Sequence, residues 1–101
     1  FIDLMKTFNR PIFCTEYLAR PFGSTFETVM PVLKKEKMAA YDFGLVKGAM
    51  QCHYEWNKVD ADGNKIPFTE EPDLWFHDIL YPDGTPYNVS EVGFIKSITK
   101  K

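Results

Sequence analysis

Two short apolar segments, Pro11–Leu18 (PIFCTEYL) and Met38–Leu45 (MAAYDFGL), flank one amphipathic stretch, and this pattern restricts the fold more than any other feature of the chain. Both segments are rich in strand formers. In the first, the apolar residues run almost continuously instead of alternating, as in a strand buried on both faces of a parallel sheet. Pro11 and the Arg20-Pro21-Phe22-Gly23 break mark its ends, and Gly44 and Gly48 end the second. Strand, helix and strand with short joints make a βαβ unit, whose crossover is right-handed. The expected class is therefore α/β.

The stretch between them reads as a helix over residues 25–37. Ser24-x-x-Glu27 has the capping-box pattern. Phe26, Val29, Met30 and Leu33 follow at helical spacing, and Lys34, Lys35 and Lys37 sit where cations suit the helix dipole. The Lys34–Lys37 run reads as a solvated helix end. Pro31 within it removes a backbone donor and is expected to kink the axis. Residues 1–8 carry Phe1, Leu4, Met5 and Phe8 on one helical face, closed by Asn9 and Pro11. This apolar opening reads as the middle of an element, and so as an excerpt of a longer chain. Asp60-Ala61-Asp62-Gly63-Asn64 reads as a turn. As a calcium loop it would need glycine where Lys65 stands. Pro82-Asp83-Gly84-Thr85 is a second turn, and Asn88 or Ser90 opens a last helix.

Composition narrows the function classes. The net charge of −2 argues against a nucleic-acid partner, which requires a basic face. No run is long and apolar enough to span a membrane. Cys14 and Cys52 form no CxxC motif and read as free thiols. His53 and His77 make no metal spacing with other ligand types and read as hydrogen-bonded structural histidines. Aromatic residues make up 16% of the chain, and their rings serve either as core or as flat platforms.

Glu16 is the residue with chemistry at stake. It follows an apolar strand, before a Pro-Gly loop, and ligands of parallel α/β proteins sit at the carboxyl ends of strands. A buried carboxylate there needs a partner; otherwise it turns to solvent or meets Arg20. Parallel neighbours lie about 4.8 Å apart, so Asp42-Phe43-Gly44 is expected near Glu16. A carboxylate beside an aromatic ring is how a glycosidase holds a sugar at the cleavage point. Phe43 is otherwise a core side chain.

The segment Arg10-Pro11-Ile12-Phe13-Cys14-Thr15-Glu16-Tyr17-Leu18-Ala19-Arg20 resembles the seventh-strand region of clan A glycoside hydrolases, in particular the family 5 cellulase-like proteins of endoglucanase or 1,4-β-xylanase type. Gly23–Glu27, Tyr41–Gly48 and Trp75–Ile79 with Asp83–Tyr87 resemble that group in order and spacing, over nearly the whole chain. The resemblance implies the C-terminal part of a (β/α)8 TIM barrel, with residues 1–101 as one partial catalytic domain. Its order would be the tail of helix six, strand seven, helix seven, strand eight, a long loop and helix eight. It further implies a retaining mechanism with Glu16 as nucleophile. The family's acid/base follows the fourth strand, which this chain does not contain, and Asp42, Glu55 and Asp78 do not match its motif. The isolated chain is accordingly expected to be inactive. The family usually carries Trp where this chain has Phe43, a departure that reduces stacking area and removes the indole N–H.

Tyr17 faces either the sugar or the core. Gln51 and Trp56 lie in the long loop after the second strand, where Trp56 is a sugar platform or a loop-packing residue. The implied partners are a carbohydrate substrate and the N-terminal remainder of the barrel, with no cofactor and no metal. A polysaccharide-degrading parent would be secreted or periplasmic. Two other readings use the same residues. One is a non-catalytic carbohydrate-binding or structural module of the same ancestry. The other is an unrelated small α/β protein whose aromatics are core.

Overall fold

The computed structural model describes residues 1–101. Its elements are helix α1 (Ile2–Lys6), strand β1 (Phe13–Cys14), a 3-10 turn (Arg20–Phe22), helix α2 (Phe26–Lys35), strand β2 (Ala39–Ala40) and helix α3 (Val89–Thr99). β1 and β2 pair in parallel, with Phe13 opposite Ala39 and Cys14 opposite Ala40. Backbone bonds from Ala39 N–H to the Ile12 carbonyl (3.0 Å) and from Tyr41 N–H to the Cys14 carbonyl (2.8 Å) close the ladder.

The sheet does not match the expected barrel segment. The sheet has two strands of two residues each, whereas a (β/α)8 barrel closes eight. With no third strand, both edges are unpaired and neither face is fully covered. Phe13 (58%) and Tyr41 (55%) stay exposed. The radius of gyration, 15.6 Å, exceeds the roughly 13 Å of a compact chain this long. The chain is a sparse α/β unit of three helices and one parallel strand pair, not strands seven and eight of a barrel. Local periodicity encodes the βαβ pairing; closure depends on strands the periodicity does not contain.

α1 forms where its spacing predicts, but it buries none of its residues. Asn9 (φ 49°) takes the left-handed conformation just beyond it. α2 starts one residue later than expected. Its capping box joins Thr25 and Thr28, not Ser24 and Glu27: Thr25 Oγ1 accepts from Thr28 N–H (3.3 Å), and Thr25 N–H donates to Thr28 Oγ1 (2.9 Å). Ser24 is instead drawn into a bridge with Ala19. α2 accommodates Pro31 and ends before Lys37, whose φ of 55° is left-handed. It buries Phe26 and Leu33. α3 is capped by Asn88, whose side chain accepts from Ser90 N–H (2.9 Å) and Glu91 N–H (3.2 Å).

Residues 41–87 are turns tied by isolated bridges. Asp60 closes its own turn, its Oδ1 accepting from the Asp62 and Asn64 amides, both at 2.9 Å. Gly84 (φ 85°) supplies the positive φ of the second turn. Val46 pairs in parallel with Leu80, which also bridges Pro86. No helix is long and apolar enough to cross a membrane.

Half of the ten buried residues are polar: Arg20, His53, His77, Asp78 and Glu91 join Leu18, Phe26, Leu33, Cys52 and Trp75. The core is therefore organised by hydrogen bonds as much as by apolar area. Trp75 stacks on Tyr87 (centroids 4.4 Å apart, 11° between planes) and meets Tyr81 edge-on at 4.8 Å. The Arg20 guanidinium lies over the Tyr87 ring at 4.9 Å.

Candidate functional site

Glu16 lies two residues beyond β1, and Phe43 three residues beyond β2. Because the strands run parallel and in register, both side chains belong to the carboxyl-end rim of the sheet. The Glu16 side chain is 59% exposed, and its Oε1 lies 3.3 Å from His77 Nε2. The His77 ring sits edge-on to Phe43, at 5.4 Å and 73°. Phe43 in turn meets Trp56 edge-on at 6.0 Å and 87°. Carboxylate, imidazole, phenyl and indole form one continuous row, with Trp56 and Phe43 both partly open to solvent.

The imidazole is held by its own backbone. His77 N–H donates to the Cys52 carbonyl (3.0 Å), and the His77 carbonyl accepts from Arg20 Nη1 (2.6 Å). Burial holds its pKa below the usual imidazole range, against the opposing pull of Glu16. Gly44, at φ 98°, lets the chain pass close behind this row: a Cβ there would stand 2.7 Å from Asp78 Oδ1 and 3.0 Å from Cys52 Cβ.

The other expected residues divide. Tyr17 turns toward the core, edge-on to Phe26 at 5.9 Å, and burial, with Asp42 nearby, pushes its hydroxyl up to about 12. Gln51 adopts a positive φ of 53°, and its carbonyl accepts from Trp56 Nε1 (2.9 Å), which fixes the indole. Gln51 thus holds the Trp56 indole through its backbone. Arg20 does not meet Glu16. It is buried against Glu91, with Nε to Oε2 at 2.8 Å and Nη2 to Oε1 at 2.9 Å.

No family model, curated protein or solved structure matches this chain. Its chemistry therefore rests on the geometry.

The remaining carboxyls near the row are either buried or already paired. Both Asp42 oxygens are buried with no hydrogen-bond partner. Burial pushes Asp42 up to about 6, with the Arg20 charge offsetting part of that. Asp78 is 1% exposed and lies 3.5 Å from His53 Nδ1. Glu71 accepts from Lys47 Nζ (2.6 Å) and Trp75 Nε1 (3.1 Å), and Lys47 holds it below the usual carboxylate range. No group of three His, Cys, Asp or Glu side chains is arranged to hold a metal. The row thus sets one exposed carboxylate, Glu16, unpaired by any lysine, beside an aromatic corner.

Spacing along the chain does not place His77 beside Glu16 or Arg20 in the core. A His-Asp pair inside the apolar run Trp75–Tyr81 was the available signal; spacing alone did not say which way the ring would point.

Proposed function

We propose that the Glu16 rim is a sugar-binding face and that Glu16 is the nucleophilic carboxylate of a retaining glycoside hydrolase acting on β-linked saccharides. This chain would supply one of the two carboxyl groups the reaction requires. The observation that supports this reading is the row itself. An exposed carboxylate stands beside a partly exposed aromatic corner whose two rings are perpendicular. A sugar's C–H face stacks on such a ring while its anomeric carbon is presented to the carboxylate.

A 2-deoxy-2-fluoro glycosyl fluoride tests nucleophilicity without a second acid, because fluoride leaves unassisted. A Glu16 oxygen bonds to the anomeric carbon, the C–F bond breaks and fluoride departs with the electron pair. Mass spectrometry is expected to find one glycosyl adduct on the Glu16 peptide, absent in Glu16→Gln. Titration with xylo- and cello-oligosaccharides is expected to change tryptophan fluorescence, and Trp56→Ala to remove the change. Oligosaccharide binding that persists in Glu16→Gln, with no adduct in the parent chain, would replace the hydrolase reading with a non-catalytic sugar module. Neither binding nor adduct would remove both.

A further inference from the structure

An exposed glutamate side chain is free to sample many rotamers, and a nucleophile must hold one. Glu16 Oε1 lies 3.3 Å from His77 Nε2, and the histidine that carries that atom is anchored through its main chain. The His77 main chain is tied to Cys52 and Arg20. Its ring is wedged between Phe43 (5.4 Å) and Phe76 (4.5 Å). Its Nδ1 is buried without a hydrogen-bond partner. An anchored imidazole therefore faces an exposed carboxylate.

We infer that His77 is a positioning residue for Glu16: Nε2 carries the proton and holds Oε1, which selects one carboxylate rotamer and leaves Oε2 as the oxygen presented to a ligand. The inference rests on the sugar-binding reading for its purpose, though not for its geometry. The charged groups facing His77 are Glu16, Asp78 and Arg20, with the Leu18 carbonyl also favouring the protonated ring. Asp78 and Glu16 favour imidazolium, whereas Arg20 and burial oppose it. Of these, Glu16 alone is solvent-accessible and replaceable without opening the core.

The test is a nitrogen-15 NMR titration of His77 in the whole chain, without sugar. The neutral ring is expected to be the Nε2–H tautomer. In Glu16→Gln its pKa is expected to fall, by the order of one unit that a nearby opposite charge produces. Asp3→Asn, distant in sequence on α1, is expected to leave it unmoved. An unchanged His77 titration in Glu16→Gln, or a neutral ring protonated at Nδ1, overturns the inference. His77→Gln, which keeps a donor but does not titrate, is expected to slow adduct formation at Glu16 only severalfold and to flatten its pH dependence. His77→Phe is expected to slow it much further. Coupling by NMR without any adduct removes the hydrolase reading and leaves the pair standing. Adduct formation without coupling removes the pair and leaves the hydrolase reading.

Discussion

Arg20 and Glu91 form a two-pronged ion pair in the interior, with both residues almost fully buried. The guanidinium spends its remaining donors on three carbonyls, those of Trp75 (3.1 Å), His77 (2.6 Å) and Asp78 (3.0 Å). One side chain therefore joins the 3-10 turn after β1 to the first turn of α3 and to the segment that carries His77. The planar fork is what allows this, and a lysine ammonium does not reproduce it. Removing one partner leaves an uncompensated buried charge. Glu91→Gln is expected to cost about 3–5 kcal/mol, and Arg20→Lys at least ~2 kcal/mol through lost charge-assisted bonds. Urea unfolding, read as a shift in midpoint at constant slope, checks both. A loss below ~1 kcal/mol in both variants would show that the pair does not organise the core.

Asp42 gives the chain a pH dependence of defined sign. Burial raises its folded-state pKa from 3.8 to about 6. The folded state thus holds a proton that the unfolded state has released between those values. The associated stability is present below pH 3.8 and is lost as pH rises through about 6. A shift of this size corresponds to about 3 kcal/mol, which partial solvent access reduces to about 1–2 kcal/mol. Asp42→Asn is expected to raise the melting temperature near neutral pH and to change it little at pH 4. An equal effect at both pH values would contradict the assignment.

Gly44 permits the close approach behind the site row. Gly44→Ala meets a positive φ of 98° and a contact of 2.7 Å with Asp78 Oδ1. Strain and displacement of Asp78 together are expected to cost more than ~1 kcal/mol. Gly63→Ala shares the positive φ (83°) but has open space around it. It serves as the strain-only control and is expected to cost less. Thermal melts of the two variants compare them directly.

Asn88 caps α3 through two amides. Asn88→Ala is expected to lose about 1 kcal/mol, and Asn88→Ser or Asn88→Asp to retain most of it. Because Glu91 sits in the same first turn, fraying there also loosens Arg20. Hydrogen exchange at Ser90 and Glu91 should accelerate in the Ala variant.

Much of the local structure was legible in the amino-acid order. The positions of α2 and α3, the parallel pairing of the two apolar segments and the turns at Asp60 and Pro82 follow from spacing, caps and breakers, all of which act over a few residues. The capping box slipped by one residue because Ser24 had a competing partner in Ala19, a contact that spacing does not encode. The candidate row was half legible. Glu16 and Phe43 follow from strand direction, since parallel strands send their ends to one side. Which ring stands between them does not, because His77 arrives from sixty-one positions further along the chain.

The sequence by itself determined where the chain bends and which short segments become helix or strand, because propensity, capping and turn chemistry are properties of neighbours. Only the tertiary structure decided that the strands stop at a single parallel pair, that Arg20 turns inward to Glu91 and that His77 faces Glu16. Each of those outcomes depends on desolvating polar groups against distant partners, and the free energy of doing so is set by what the fold brings within a few ångströms.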